Sequence, residues 1–154
     1  MIEFAVGLGI ALNLLSYELL GLTAGGMVVP GYLALFLDRP GRIAATLMAA
    51  VATLAAVRLL SRYIILYGRR KYAAMILVGF LVNFALDEAL VRVGPWLGPA
   101  GAELRVIGFI VPGLLANEMH EQGVVSTAAV ALLCAVIVRL ATTLLLRSGV
   151  LGGV

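Results

Sequence analysis

Long uninterrupted apolar runs alternate along this chain with short apolar runs broken by Pro-Gly. Four windows, roughly Phe4–Leu22, Ile43–Tyr63, Tyr72–Arg92 and Val124–Leu146, each hold about 20 mostly apolar residues, enough for a helix to cross a bilayer. Polar side chains cluster at their edges, so the pattern predicts helices spanning hydrocarbon. Two further apolar stretches, Thr23–Leu37 and Arg105–Met119, are too short to cross as one straight helix. Each contains Val-Pro-Gly.

The short stretches occupy equivalent places in an internal duplication. When Gly26 is aligned with Gly108, Val29 meets Val111, Pro30 meets Pro112, Gly31 meets Gly113, Leu33 meets Leu115, Ala34 meets Ala116 and Gly41 meets Gly123. Upstream, in a shifted register, Gly9, Asn13, Glu18 and Leu20 match Gly79, Asn83, Glu88 and Leu90. The shift points to an insertion at Val91–Ala102, whose Gly, Pro and Trp suit an interfacial loop. The chain reads as one membrane domain over 1–154, with repeat one at 2–66 and repeat two at 67–147. Each repeat is a long helix, a broken segment and a second long helix.

The expected fold is an all-α integral membrane protein with four spanning helices plus two Pro-Gly-broken re-entrant segments. The alternative has the broken segments crossing, which gives six short spans in an inverted repeat. In the first arrangement Arg58, Arg62, Arg69, Arg70, Lys71, Arg139 and Arg147 gather on the cytoplasmic side by the positive-inside rule. In the second, Arg147 and both termini move outside.

Composition excludes a soluble globule. Of 154 residues 63% are hydrophobic and 12% charged, against about 25% charged in soluble domains; mean hydropathy is +1.13. Glu3 stands where a signal peptide carries positive charge, so the first run is read as a retained helix. The net charge of +3 comes without a Lys/Arg stripe interleaved with aromatics, so nucleic acid is not an expected partner. Cys134 has no second cysteine to pair with.

The Pro-Gly breaks carry the first candidate chemistry. Proline suits the first turn of a helix, so short helices should begin near Pro30 and Pro112. The free amides of a helix start inside lipid need partners, and they attract anions. One reading has Pro30, Gly31, Pro112 and Gly113 meeting as an anion path, with Asn13, Asn83, Asn117 and Arg105 along it. The other makes the breaks tight turns that let helices pack closely. Asn13 and Asn83, mid-helix at matching places, suit either a polar seam or interhelical hydrogen bonds. His120 lacks the second histidine of a metal motif, and no metal is expected. No phosphate loop or nucleophile elbow is present, so neither cofactor nor catalytic residue is expected.

Three stretches, "GMVVPGYLALF", "ILYGRRKYAAM" and "IGFIVPGLLAN", together resemble the PgsC/CapC family, the small membrane subunit of bacterial poly-γ-glutamate synthase. The matching residues are Val29, Pro30, Gly31, Tyr32, Tyr67, Gly68, Arg69, Arg70, Lys71, Val111, Pro112, Gly113 and Asn117. The resemblance implies a required subunit without catalysis of its own, in the bacterial cytoplasmic membrane. It also implies as partners a PgsB/CapB-like ATP-dependent amide ligase, a PgsA/CapA-like protein and the anionic polymer. Arg69, Arg70 and Lys71 are then candidates for docking the ligase. A homo-oligomer is expected, because a single copy leaves little room for a pore. The competing reading is a small organic-anion carrier or channel acting alone.

Overall fold

A computed structural model describes residues 2–98 and 105–147. They form six helices: α1 (Ile2–Leu20), α2 (Val29–Leu35), α3 (Pro40–Leu60), α4 (Arg69–Leu97), α5 (Val111–Gln122) and α6 (Val124–Arg147). Among the described residues there is no strand. Three helices, over Pro40–Leu60, Arg69–Val93 and Val124–Leu145, are long and apolar enough to cross a membrane, and α1 carries a shorter apolar run at Ala5–Leu20. At about 1.5 Å per residue, α2 is only about 10 Å long and α5 about 18 Å.

The helices sort into two groups of three. The short α2 packs between α1 and α6, and α5 packs between α3 and α4. Each short helix therefore lies against the first long helix of its own half and the last long helix of the other half. A thinner seam between α5 and α6 joins the groups.

Direction along the bundle follows from side-chain contacts. Arg105 pairs with Asp87 at 3.7 Å, and the Ile107 amide donates to Thr46 Oγ1 at 2.9 Å. Both partners lie toward the C-terminal end of α4 and the start of α3. At the other end of the bundle, His120 shares a cavity with Arg58, Ser61 and Lys71, where α3 ends and α4 begins. The segment 105–122 thus runs from one end to the other. So does the first: the Thr23 amide donates to Gln122 Oε1 at 3.0 Å, while Asp38 is paired with Arg139 just before α3 begins.

The expected re-entrant hairpins would return each broken segment to the end it left. The contacts instead match the alternative, in which the segments run through. The segment is a bent, non-helical entry, 105–110, followed by about 18 Å of helix, so it is not the single straight helix that a count of its apolar residues assumes.

The expected loop from Val91 is also shorter than the sequence suggests. Helix α4 continues to Leu97 and ends at Gly98; the remainder of that loop lies outside the described residues. Between α5 and α6 the chain reverses at a single residue, Gly123, whose φ of +93° an L side chain rarely adopts.

Candidate functional site

Val-Pro-Gly begins both short helices, with the proline in the first turn where its missing N–H costs nothing. The glycine that follows makes the contact. A Cβ on Gly31 would lie 2.8 Å from Val6 Cα and 2.9 Å from the Ala5 carbonyl oxygen. A Cβ on Gly113 would lie 2.8 Å from Ile76 Cα and from the Met75 carbonyl oxygen. The facing helices answer with glycine: Cβ atoms on Gly9 and Gly79 would sit 2.6 Å from Gly31 N and 2.7 Å from Gly113 N. Backbone therefore touches backbone at two equivalent crossings, the small-residue packing that holds helices together in lipid.

The surroundings of these heads are aliphatic. Pro30 and Pro112 are fully buried, as are Val29, Leu33 and Leu115. The helical ladder starts at once, with Tyr32 N–H donating to the Val28 carbonyl at 3.2 Å and Leu114 N–H to Ile110 at 3.1 Å. Each Pro-Gly head is pressed into the long helix of its own half, the arrangement expected of packing turns.

The two asparagines pin the chain entering each head. Asn13 Oδ1 accepts from Ala24 N–H at 2.7 Å, and Asn83 Nδ2 donates to the Gly108 carbonyl at 2.8 Å. Both are buried, and Asn83 Oδ1 has no partner. Asn13 also borders an apolar cavity of about 350 Å³ with Ile10, Tyr17 and Thr23. Asn117 is buried within α5. Arg105 is exposed beside Asp87 at the opposite end of the bundle from Lys71.

A polar cluster joins the halves near the Arg58 end. Gln122 Nε2 donates to the Thr23 carbonyl at 2.9 Å and lies 3.0 Å from Glu118 Oε2; the Thr23 hydroxyl donates to the same carboxylate. Sequence reading left these three unassigned, because the partners stand almost a hundred residues apart.

The Arg58 end also carries most of the described cations that lack ion-pair partners, with Arg39, Arg42 and Arg147 at the other end. Three ion pairs occur among the described residues: Arg92–Glu88, Arg105–Asp87 and Arg139–Asp38, all at the Asp38 end. Arg58, Arg62, Arg69, Arg70 and Lys71 make none. Arg58 and Lys71 reach a cavity of about 300 Å³ together with Ser61, Tyr67 and His120. His120 lies just past the apolar stretch 105–119. Of the residues expected to dock a partner, Arg69 and Arg70 are exposed and Lys71 is half-buried toward the cavity. Arg58 and His120 were missed as site residues. Each sits at the edge of an apolar run, but nothing local indicates that the two edges meet. Among the described residues no group of three His, Cys, Asp or Glu side chains could hold a metal ion.

Paired short helices headed by Pro-Gly, packed among long apolar helices of which three could cross a bilayer, define a small all-helical membrane protein. The profile for capsule biosynthesis CapC matches residues 8–128, and the chain belongs to that family. It is 42% identical over 124 residues to the PGA biosynthesis protein CapC of Bacillus subtilis (strain 168), covering 80% of each chain. It is 38% identical over 130 residues to the capsule biosynthesis protein CapC of Bacillus anthracis, covering 84% of this chain and 85% of that one. No solved structure matches.

Proposed function

We propose that this chain is the membrane subunit of a poly-γ-glutamate synthase in the bacterial cytoplasmic membrane. It crosses six times as two inverted repeats, 2–66 and 67–147, with the Arg58 end in the cytoplasm. There it seats an ATP-dependent amide ligase, through Arg69 and Arg70, and meets the acidic product, through Lys71. Ligase and polymer are the partners that the CapC relatives' role in PGA and capsule biosynthesis implies; a PgsA/CapA-like protein and further copies of the chain complete the assembly.

One observation carries the reading: five cations without ion-pair partners, Arg58, Arg62, Arg69, Arg70 and Lys71, stand together at one end, against Arg39, Arg42 and Arg147 at the other, and two of the five share a cavity. Unneutralised Arg and Lys at a membrane face orient the chain and attract a polyanion and an acidic partner surface at long range. The cytoplasm is where ATP is available. The aliphatic packing around Pro30 and Pro112 gives no support to a polymer path at those heads, and passage is assigned instead to the boundaries between subunits.

Co-purification tests it. Reversing Arg69, Arg70 and Lys71 to Glu is expected to reduce ligase recovered in detergent at least tenfold, whereas reversing Arg92 and Arg105 leaves it unchanged. Equal recovery from both variants would remove the docking face. Orientation is read separately in a Cys134→Ala background. Arg39→Cys should react with a membrane-impermeant maleimide in intact cells, and Tyr67→Cys only after the membrane is opened.

A further inference from the structure

Helices α3 and α6 do not close against each other along their shared flank. Between them runs an apolar groove lined by Met48, Val51 and Ala55 of α3 and by Val124 and Ala128 of α6, with a volume of about 390 Å³. Its floor is Met119 of α5, which is fully buried. Toward the Arg58 end it continues into a second cavity of about 400 Å³. That cavity shares Val51, Ala55 and Val124 with the first and adds Arg58 and Arg62. The result is a lipid-facing slot that is purely aliphatic along its length and cationic at its mouth.

We infer that this groove is a binding site for an anionic phospholipid, with an acyl chain along α3 and α6 and the phosphate on Arg58 and Arg62. Two features select this occupant. The slot lies in the flank of an apolar bundle, so hydrocarbon chains are its immediate solvent. The guanidiniums at its mouth have no carboxylate partners and flank the end of the apolar helix Pro40–Leu60; planar guanidiniums bind phosphate through paired hydrogen bonds. A carboxylate polymer would gain nothing from the aliphatic length. A zwitterionic lipid would bring its own cation to the arginines. The site does not depend on the function proposed above, since any bilayer containing anionic lipid supplies the ligand.

The test uses the full chain in detergent, titrated with phosphatidylglycerol and with phosphatidylcholine of the same acyl composition, with bound lipid counted by native mass spectrometry. Phosphatidylglycerol is expected to bind at least tenfold more tightly. Arg62→Gln should remove most of that preference while apolar binding persists. Ala55→Phe, which fills the groove from an exposed position, should reduce binding of both lipids. Leu81→Phe, exposed on α4, should change neither, and an unaltered gel-filtration profile shows that the variants fold. Equal affinity for the two lipids overturns the assignment. So does phosphatidylglycerol binding that ignores Ala55→Phe, displacement of the lipid by a short γ-linked glutamate oligomer, or a change of oligomeric state on filling the groove, which would make the occupant a second copy.

Discussion

The two Pro-Gly-headed helices begin alike and end differently. Both start at Val-Pro-Gly, both press a glycine onto a glycine of the long helix before them, and both have an asparagine pinning the chain that leads in. After the head they diverge. α2 stops within two turns, in the apolar sequence Tyr-Leu-Ala-Leu, whereas α5 continues into Asn-Glu-Met-His-Glu-Gln. That polar tail reaches the Arg58 end of the bundle and ties Thr23 to α5 through Gln122. The shared part is architecture, and the part found once carries the chemistry. A motif that occurs twice is thus weaker evidence for a ligand site than the residues that break the symmetry.

The comparison can be broken at several levels. The largest expected effect comes from the crossings. Gly9→Ala and Gly79→Ala each force a methyl into backbone closer than 3 Å and should cost about 1–3 kcal/mol or more, as overpacked cores do. The two losses should match, by reversible unfolding in bicelles, while Gly7→Ala, with nothing within 4 Å, should cost nothing. A large effect at one crossing only would end the equivalence. Next comes Gln122→Ala, with no counterpart in the first helix; stranding the Thr23 amide should cost about 1–2 kcal/mol. The asparagines should then separate. Asn13→Leu leaves a buried N–H unpaired, whereas Asn83→Leu frees a carbonyl and removes an oxygen that already lacks a partner. The first should therefore lose more, by roughly 1 kcal/mol. Smallest of all, Arg92→Gln removes an exposed i,i+4 pair and should leave the unfolding midpoint where it is.

Much of the architecture was legible because hydrophobic length is a local signal. The four long runs became α1, α3, α4 and α6 within a few residues, and both prolines mark helix starts where their ring geometry demands it. The path of the broken segments was less legible. A count of apolar residues assumes one straight helix, whereas each segment joins a bent, non-helical entry to a short helix, a path that such a count does not describe. The exchange of α3 and α6 between halves left no trace in the pattern either, because their apolar faces would suit either neighbour. Of the candidate site, Lys71 could be read from its charged loop. Arg58, His120 and the Thr23–Gln122 tie could not, since each depends on contacts between positions tens of residues apart.

The way the halves share their long helices sets an order on biogenesis. Helix α2 is enclosed by α1 and α6, and α6 is the last of the described helices to leave the ribosome. Until residues 124–147 enter the bilayer, the first short helix has one flank bare to lipid and no closing wall. The amino-terminal half must therefore wait, inserted but unfinished, for the carboxy-terminal helix to arrive.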